Sequence, residues 1–124
     1  MATVLVIEDD PQMLGIVSRL LARERHAVIE AADGEVGVRE FLRHRPAAVV
    51  TDILMPRKEG IETIREIRRA APKVPIIAIS GGGRTRNLMF LDLAKALGAD
   101  AVLTKPFRGE ELVAMIGRLL ARVR

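Results

Sequence analysis

Residues 3–12 read TVLVIEDDPQ, and this one stretch sets the pattern of the whole chain. Thr3 to Ile7 is a β-branched, apolar run without polar alternation, which is how a strand covered on both faces reads. Acids follow at once at Glu8, Asp9 and Asp10. Asp10 then Pro11 is a helix start, an N-cap aspartate followed by proline at the first helical position. Met13, Ile16, Val17, Leu20 and Leu21 recur after it at helical spacing. A buried strand, an acidic turn and an amphipathic helix make one βα unit.

Four more units follow. Ala27 to Glu30 reads as a short second strand, and Asp33 with Gly34 as the turn into a helix that ends near His44, before Pro46. Ala47 to Thr51 is the third strand, followed by Met55, Pro56 and a loop into a helix carrying Ile61, Ile64 and Ile67. The fourth strand spans Val74 to Ile79, beside Pro72 and Pro75. A glycine-rich loop then leads to a helix over Leu88 to Leu97, stopped by Gly98. Ala101 to Thr104 is the fifth strand, and a last helix carries Leu112, Val113, Met115, Ile116, Leu119 and Leu120. Five βα units joined by short loops imply right-handed crossovers and an all-parallel sheet with helices on both faces, an α/β three-layer sandwich. No repeat or linker interrupts the pattern and nothing is left over for an output domain, so residues 1–124 are expected to form one domain.

Composition narrows the function. Of the 124 residues 49% are apolar and 29% charged, the mixture of a soluble globular protein. The absence of Cys excludes a disulfide framework, a thiolate metal site and a cysteine nucleophile. With no Trp, no Tyr and three Phe, the core must be aliphatic. The acids at Glu8 to Asp10 come too early for a signal peptide, and no run of apolar residues is long enough to span a bilayer, so a cytoplasmic chain without membrane contact is expected. The formal charge of +4 invites a nucleic-acid reading. The arginines are scattered without aromatics to stack bases, so they read as solvated helix faces and no nucleic-acid partner is expected. Gly81 to Gly83 with Arg84 and Thr85 lacks G-K-[ST] and reads as a flexible loop. His26 and His44 read as solvent-facing near helix ends, and Met89 or Phe90 as candidate partner contacts on an otherwise core-directed helix.

In a parallel sheet the strand C-termini share one edge, and ligands bind there, near the point where strand order reverses. That edge gathers Glu8 and Asp9 after the first strand, Asp52 after the third, Ser80 after the fourth and Lys105 after the fifth. Asp10 is accounted for as a cap. Ser80 alone could be a turn serine and Lys105 alone a surface lysine, but Asp52 interrupts the apolar run AAVVTDILM, an unusual place for an idle carboxylate. Three carboxylates converging from different strands cannot all stay ionised without a cation. Oxygen-only donors select a hard ion, best matched by Mg²⁺. A metal beside a carboxylate, a hydroxyl and an ammonium is equipment for phosphoryl transfer, with an aspartyl phosphate as the species held.

VLVIEDDPQM, VVTDILMPRKEGIE, IIAISGGG and AVLTKPF resemble, in order and over the whole chain, the motifs of two-component response-regulator receiver domains. The resemblance implies a flavodoxin-like (βα)5 fold with strand order 2-1-3-4-5, in a stand-alone receiver. It implies that Asp52 is the phosphoacceptor, and that Glu8 and Asp9 hold Mg²⁺ together with Asp52 and the backbone carbonyl of Leu54. Ser80 would follow the phosphoryl group and Lys105 would ion-pair with it, beside a cis bond from Lys105 to Pro106. The implied donor is a histidine kinase or a histidine phosphotransfer protein, with output through protein contacts and no enzymatic turnover beyond self-phosphorylation and autodephosphorylation. The chain departs from the family in three places. Val102 stands where many receivers carry a switch aromatic, the loop from Ser80 is long and glycine-rich, and Leu54 and Gly82 offer no polar side chain to orient a hydrolytic water. A long-lived phosphorylated form and a switch carried by Gly81 to Asn87 are therefore expected. The competing readings are a small Mg²⁺-dependent phosphohydrolase with an aspartate nucleophile and a phosphorylation-independent binding module.

Overall fold

The computed structural model describes residues 1–53, 59–80, 92, 95–96 and 98–123. Five strands, β1 (Thr3–Ile7), β2 (Ala27–Ala31), β3 (Ala48–Asp52), β4 (Ile76–Ser80) and β5 (Ala101–Thr104), form one sheet in the order β2-β1-β3-β4-β5. All four pairings are parallel. Four helices are described: α1 (Pro11–Arg23), α2 (Gly34–His44), α3 (Glu59–Ala70) and α4 (Gly109–Val123). Of the expected helix over Leu88 to Leu97, only Asp92, Lys95 and Ala96 are described, and they are helical and exposed; the rest lies outside the described residues.

The sheet's pleat sorts its side chains into two aliphatic cores. Leu5, Ile7, Val49, Ile76 and Ala78 face α2 and α3, meeting Phe41, Ile61, Ile64 and Ile67. Val4, Val6, Val50, Ile77, Ile79 and Leu103 face α1 and α4, meeting Val17, Leu21, Leu112, Ile116 and Leu119. Strands β3 and β4 are buried along their whole length, as the continuous apolar runs require. Helix starts follow the sequence signals: Asp10 caps α1 by accepting from the Gln12 N–H, with Pro11 at the first turn, and Asp33 caps α2 by accepting from the Val36 N–H.

Boundaries differ from expectation by small steps that matter. β3 and β4 each reach one residue further, so Asp52 and Ser80 are the last residues of their strands and keep ladder geometry. Val74 and Pro75 precede β4, since Pro75 lacks the N–H that a ladder needs. His26 is not solvent-facing. It is half-buried, and its Nδ1 accepts from the Ala2 N–H at 3.2 Å, because the pairing of β1 with β2 brings the residues before both strands together. His44 is exposed, 3.2 Å from Glu40.

The sheet edge opposite the acidic residues is closed by Arg68 of α3. Its guanidinium donates to the carbonyls of Ala71, Pro72 and Val74 at 3.2, 2.9 and 2.7 Å, and to Gly98 at 3.0 and 2.6 Å. It also pairs at 2.9 Å with the Asp100 carboxylate, whose same oxygen accepts from the Ile76 N–H at 2.8 Å. Gly98 has φ +124°, a conformation that L side chains rarely adopt. One side chain thus fastens the end of α3 to the entrances of β4 and β5.

Candidate functional site

Where β1, β3, β4 and β5 end together, the structure brings Glu8, Asp9, Asp52, Ser80 and Lys105 to one place. Glu8 follows β1, its N–H donating to the Ala31 carbonyl at 2.9 Å. Asp52 ends β3, and the next residue is tied to β4 by the Ile53 N–H donating to the Ile79 carbonyl at 2.9 Å. The N–H of Lys105 donates to the Ser80 carbonyl at 2.7 Å, so β4 positions the lysine's backbone directly. From there Nζ reaches Asp52 Oδ2 at 3.2 Å and Glu8 Oε1 at 3.6 Å. The bond from Lys105 to Pro106 is cis, as the resemblance implies.

Glu8 is 3% exposed, Asp52 5% and Ser80 fully buried, while the Lys105 side chain keeps 23% of its surface. Asp9, by contrast, is exposed. The sequence treats Glu8 and Asp9 as equivalent, but the structure buries Glu8 and leaves Asp9 at the exposed rim of the same carboxylate group. The other Glu8 oxygen accepts from the Asp10 N–H at 3.1 Å, so the start of α1 holds the carboxyl in place.

The electrostatics follow from this crowding. Burial pushes the Glu8 carboxyl up from its ordinary 4.5 to about 7, and the neighbouring Asp52 charge adds to the rise, against the Asp10 N–H and Lys105. At Lys105 burial works against the ammonium, but Asp52 and Glu8 together outweigh it and the net direction is up. One ammonium among these acids leaves a negative surplus. Carboxylate oxygens of Glu8, Asp9 and Asp52 lie within 4.8 Å of one another, so this group could hold a metal ion. Its all-oxygen donor set, with Glu8 driven toward protonation by burial and by the Asp52 charge, fits a hard divalent cation.

Other expected positions, Leu54, Gly81 to Gly83, Arg84, Thr85, Met89 and Phe90, lie outside the described residues, as does the expected switch segment Gly81 to Asn87. Val102 is described and half-buried on β5. Sequence reasoning passed over Thr51, which is fully buried and donates from Oγ1 to the Asp52 carbonyl at 3.3 Å. A polar residue inside AAVVTD was the available signal.

The family model described as response regulator receiver domain matches residues 4–117. The chain is 34% identical over 121 residues to the transcriptional regulatory protein RprY of Bacteroides fragilis, and 34% identical over 122 residues to the transcriptional regulatory protein CpxR of Escherichia coli. Each alignment covers 98% of this chain and 50% of the relative, so the chain spans about half the length of these curated relatives. Among solved structures, the response regulator receiver domain protein from Clostridium thermocellum superposes with a TM-score of 0.90 at 30% identity, covering 98% of this chain and 96% of the other. A putative response regulator from Chloroflexus aurantiacus gives 0.89 at 26% identity, covering 98% of both chains.

Proposed function

The chain belongs to the response regulator receiver domain family, and on that premise we propose that it accepts a phosphoryl group on Asp52 from a histidine kinase or a histidine phosphotransfer protein. The observation that carries this reading is the buried Asp52 carboxylate 3.2 Å from the Lys105 ammonium and within 4.8 Å of the Glu8 and Asp9 oxygens. In the proposed step an Asp52 oxygen attacks phosphorus, and the new P–O bond forms as the P–N bond of the donor phosphohistidine breaks. The electron pair stays on the imidazole nitrogen, which regains a proton from solvent. Lys105, freed from its carboxylate partner as Asp52 becomes an acyl phosphate, pairs with a phosphoryl oxygen. The Ser80 hydroxyl, held at the end of β4, donates to another. Glu8, Asp9, Asp52 and the backbone carbonyl of Leu54 would hold Mg²⁺, which when bound neutralises charge on the phosphoryl oxygens. The phosphorylated domain is proposed to act in the cytoplasm through protein contacts, with no turnover of external substrates.

Acetyl phosphate with Mg²⁺ tests the reading directly. Intact mass should show one added phosphoryl group, labile to base, on the wild type and none on Asp52→Asn. Equal labelling of the variant would overturn the assignment. Repeated turnover of small phosphate esters would favour a phosphohydrolase instead, and no labelling by any phosphodonor a phosphorylation-independent module.

A further inference from the structure

Helix α3 opens against the very peptide that carries Asp52. Gly60, in its first turn, is buried there. A methyl group at Gly60 would overlap the carbonyl oxygen of Asp52 and stand 2.5 Å from the Cα and 3.0 Å from the carbonyl carbon of Ile53. All three atoms are main chain, so no side-chain rotation makes room. The contrast within the fold is instructive: at Gly37 and Gly109 the nearest atoms to such a methyl belong to the side chains of Ile7 and Leu20, at 2.5 and 2.6 Å, which can change rotamer. From the sheet side the same segment is gripped by the Ile53 N–H on the Ile79 carbonyl and by Thr51 Oγ1 on the Asp52 carbonyl.

We propose that Gly60 is a positioning residue, whose missing side chain lets α3 press on the Asp52–Ile53 peptide and so fixes where the Asp52 carboxylate stands relative to Glu8, Asp9 and Lys105. The proposal rests on the reading of Asp52 as phosphoacceptor and member of the metal-holding group. Restoring ordinary contact around an added methyl would need a shift of about 1 Å between helix and peptide. A displacement of that size at a reacting group is enough to cost on the order of 100-fold in rate.

The test compares Gly60→Ala with Ile67→Ala, a substitution at a fully buried residue two turns further along the same helix that also lowers stability. Three quantities are read: labelling rate with acetyl phosphate, Mg²⁺ affinity by calorimetry, since the chain has no Trp or Tyr to report binding, and metal-free hydrogen exchange of the Ile53 amide. Gly60→Ala should slow labelling at least tenfold, weaken Mg²⁺ binding severalfold and speed Ile53 exchange beyond what its lower Tm explains. Ile67→Ala should lower Tm while leaving Mg²⁺ affinity and labelling within about twofold. Equal effects of the two variants, or a Gly60→Ala protein with wild-type affinity and labelling, would overturn the proposal. If the wild type itself takes no label, the phosphoacceptor reading fails, and the Mg²⁺ and Ile53 measurements still decide the role of Gly60. Should Gly60→Ala not fold, it is combined with Gly117→Ala, where an added methyl meets nothing within 4 Å and the helix gains stability. Loss of folding there too would overturn the proposal, which requires α3 to shift rather than the domain to be lost.

Discussion

Glu8 and Asp52 leave neighbouring strands with both carboxyl groups buried, and the Lys105 ammonium lies 3.6 Å from the first and 3.2 Å from the second. Two acids share one base. The arrangement is costly in the metal-free protein and becomes favourable only when more positive charge arrives.

The first prediction concerns pH. Glu8 titrates at about 7 in the folded chain against an ordinary 4.5, so the folded state holds its proton more tightly than the unfolded state does. Its contribution to stability is complete below about pH 4.5 and is lost as pH rises through about 7. Relative to Glu8→Gln, the metal-free wild type should lose about 2–3 kcal/mol between about pH 5 and about pH 8. Saturating Mg²⁺ should remove most of that difference. Urea titrations of both proteins across this range check it, and a difference that stays flat with pH would contradict the account.

Glu8 and Asp9 should part company when each is neutralised. Both Glu8→Gln and Asp9→Asn should weaken Mg²⁺ binding by calorimetry, because both offer an oxygen to the same group. Only Glu8→Gln should raise metal-free Tm at neutral pH, since Asp9 is exposed and its charge is already solvated. A comparable rise for Asp9→Asn would show that repulsion, rather than burial, dominates.

Lys105→Ala should leave two buried carboxyls facing each other without a cation. Metal-free stability near pH 8 should fall by about 2 kcal/mol, and labelling by acetyl phosphate should drop at least tenfold. Thermal scans and intact-mass kinetics report the two effects separately. Wild-type labelling would remove Lys105 from the chemistry.

Arg68→Ala should be among the most damaging changes away from the site. It strips the carbonyls of Ala71, Pro72, Val74 and Gly98 of a shared donor and leaves Asp100 without its cation. A loss of about 2–4 kcal/mol is expected. Arg68→Lys should recover little, because one ammonium cannot reach partners spread across a planar fork. Rescue by lysine in chemical denaturation would mean that charge alone is at work.

Much of this was legible in the sequence because burial leaves a local trace. Asp52 stands out inside AAVVTDILM, and the run TVLVI followed by acids announces both a buried strand and an edge with chemistry. The strand order came from the family resemblance, which the register bears out. Features set by contacts distant in the chain left no such trace. Nothing in EIRRA separates Arg68 from Arg69, because its key partners, Gly98 and Asp100, lie 30 and 32 residues away. The burial of Glu8 rather than Asp9 shows only in the folded chain, and the half-burial of His26 depends on the pairing of β1 with β2. Gly60 sits in the quoted motif MPRKEGIE, but only the coordinates show that its neighbour is the Asp52 backbone.

The order β2-β1-β3-β4-β5 gives the site an uneven frame. Glu8, Asp52 and Ser80 hang from β1, β3 and β4, each flanked by a strand on both sides. Lys105 hangs from β5, which borders the sheet and buries only Leu103 fully along its length. Three walls of the site are masonry and the fourth is a door: deforming the first three means breaking ladders on two sides and a core behind, while β5 can yield by loosening a single ladder. The cation is thus mounted on a strand held by one ladder, where the carboxylates and the hydroxyl follow strands held by two.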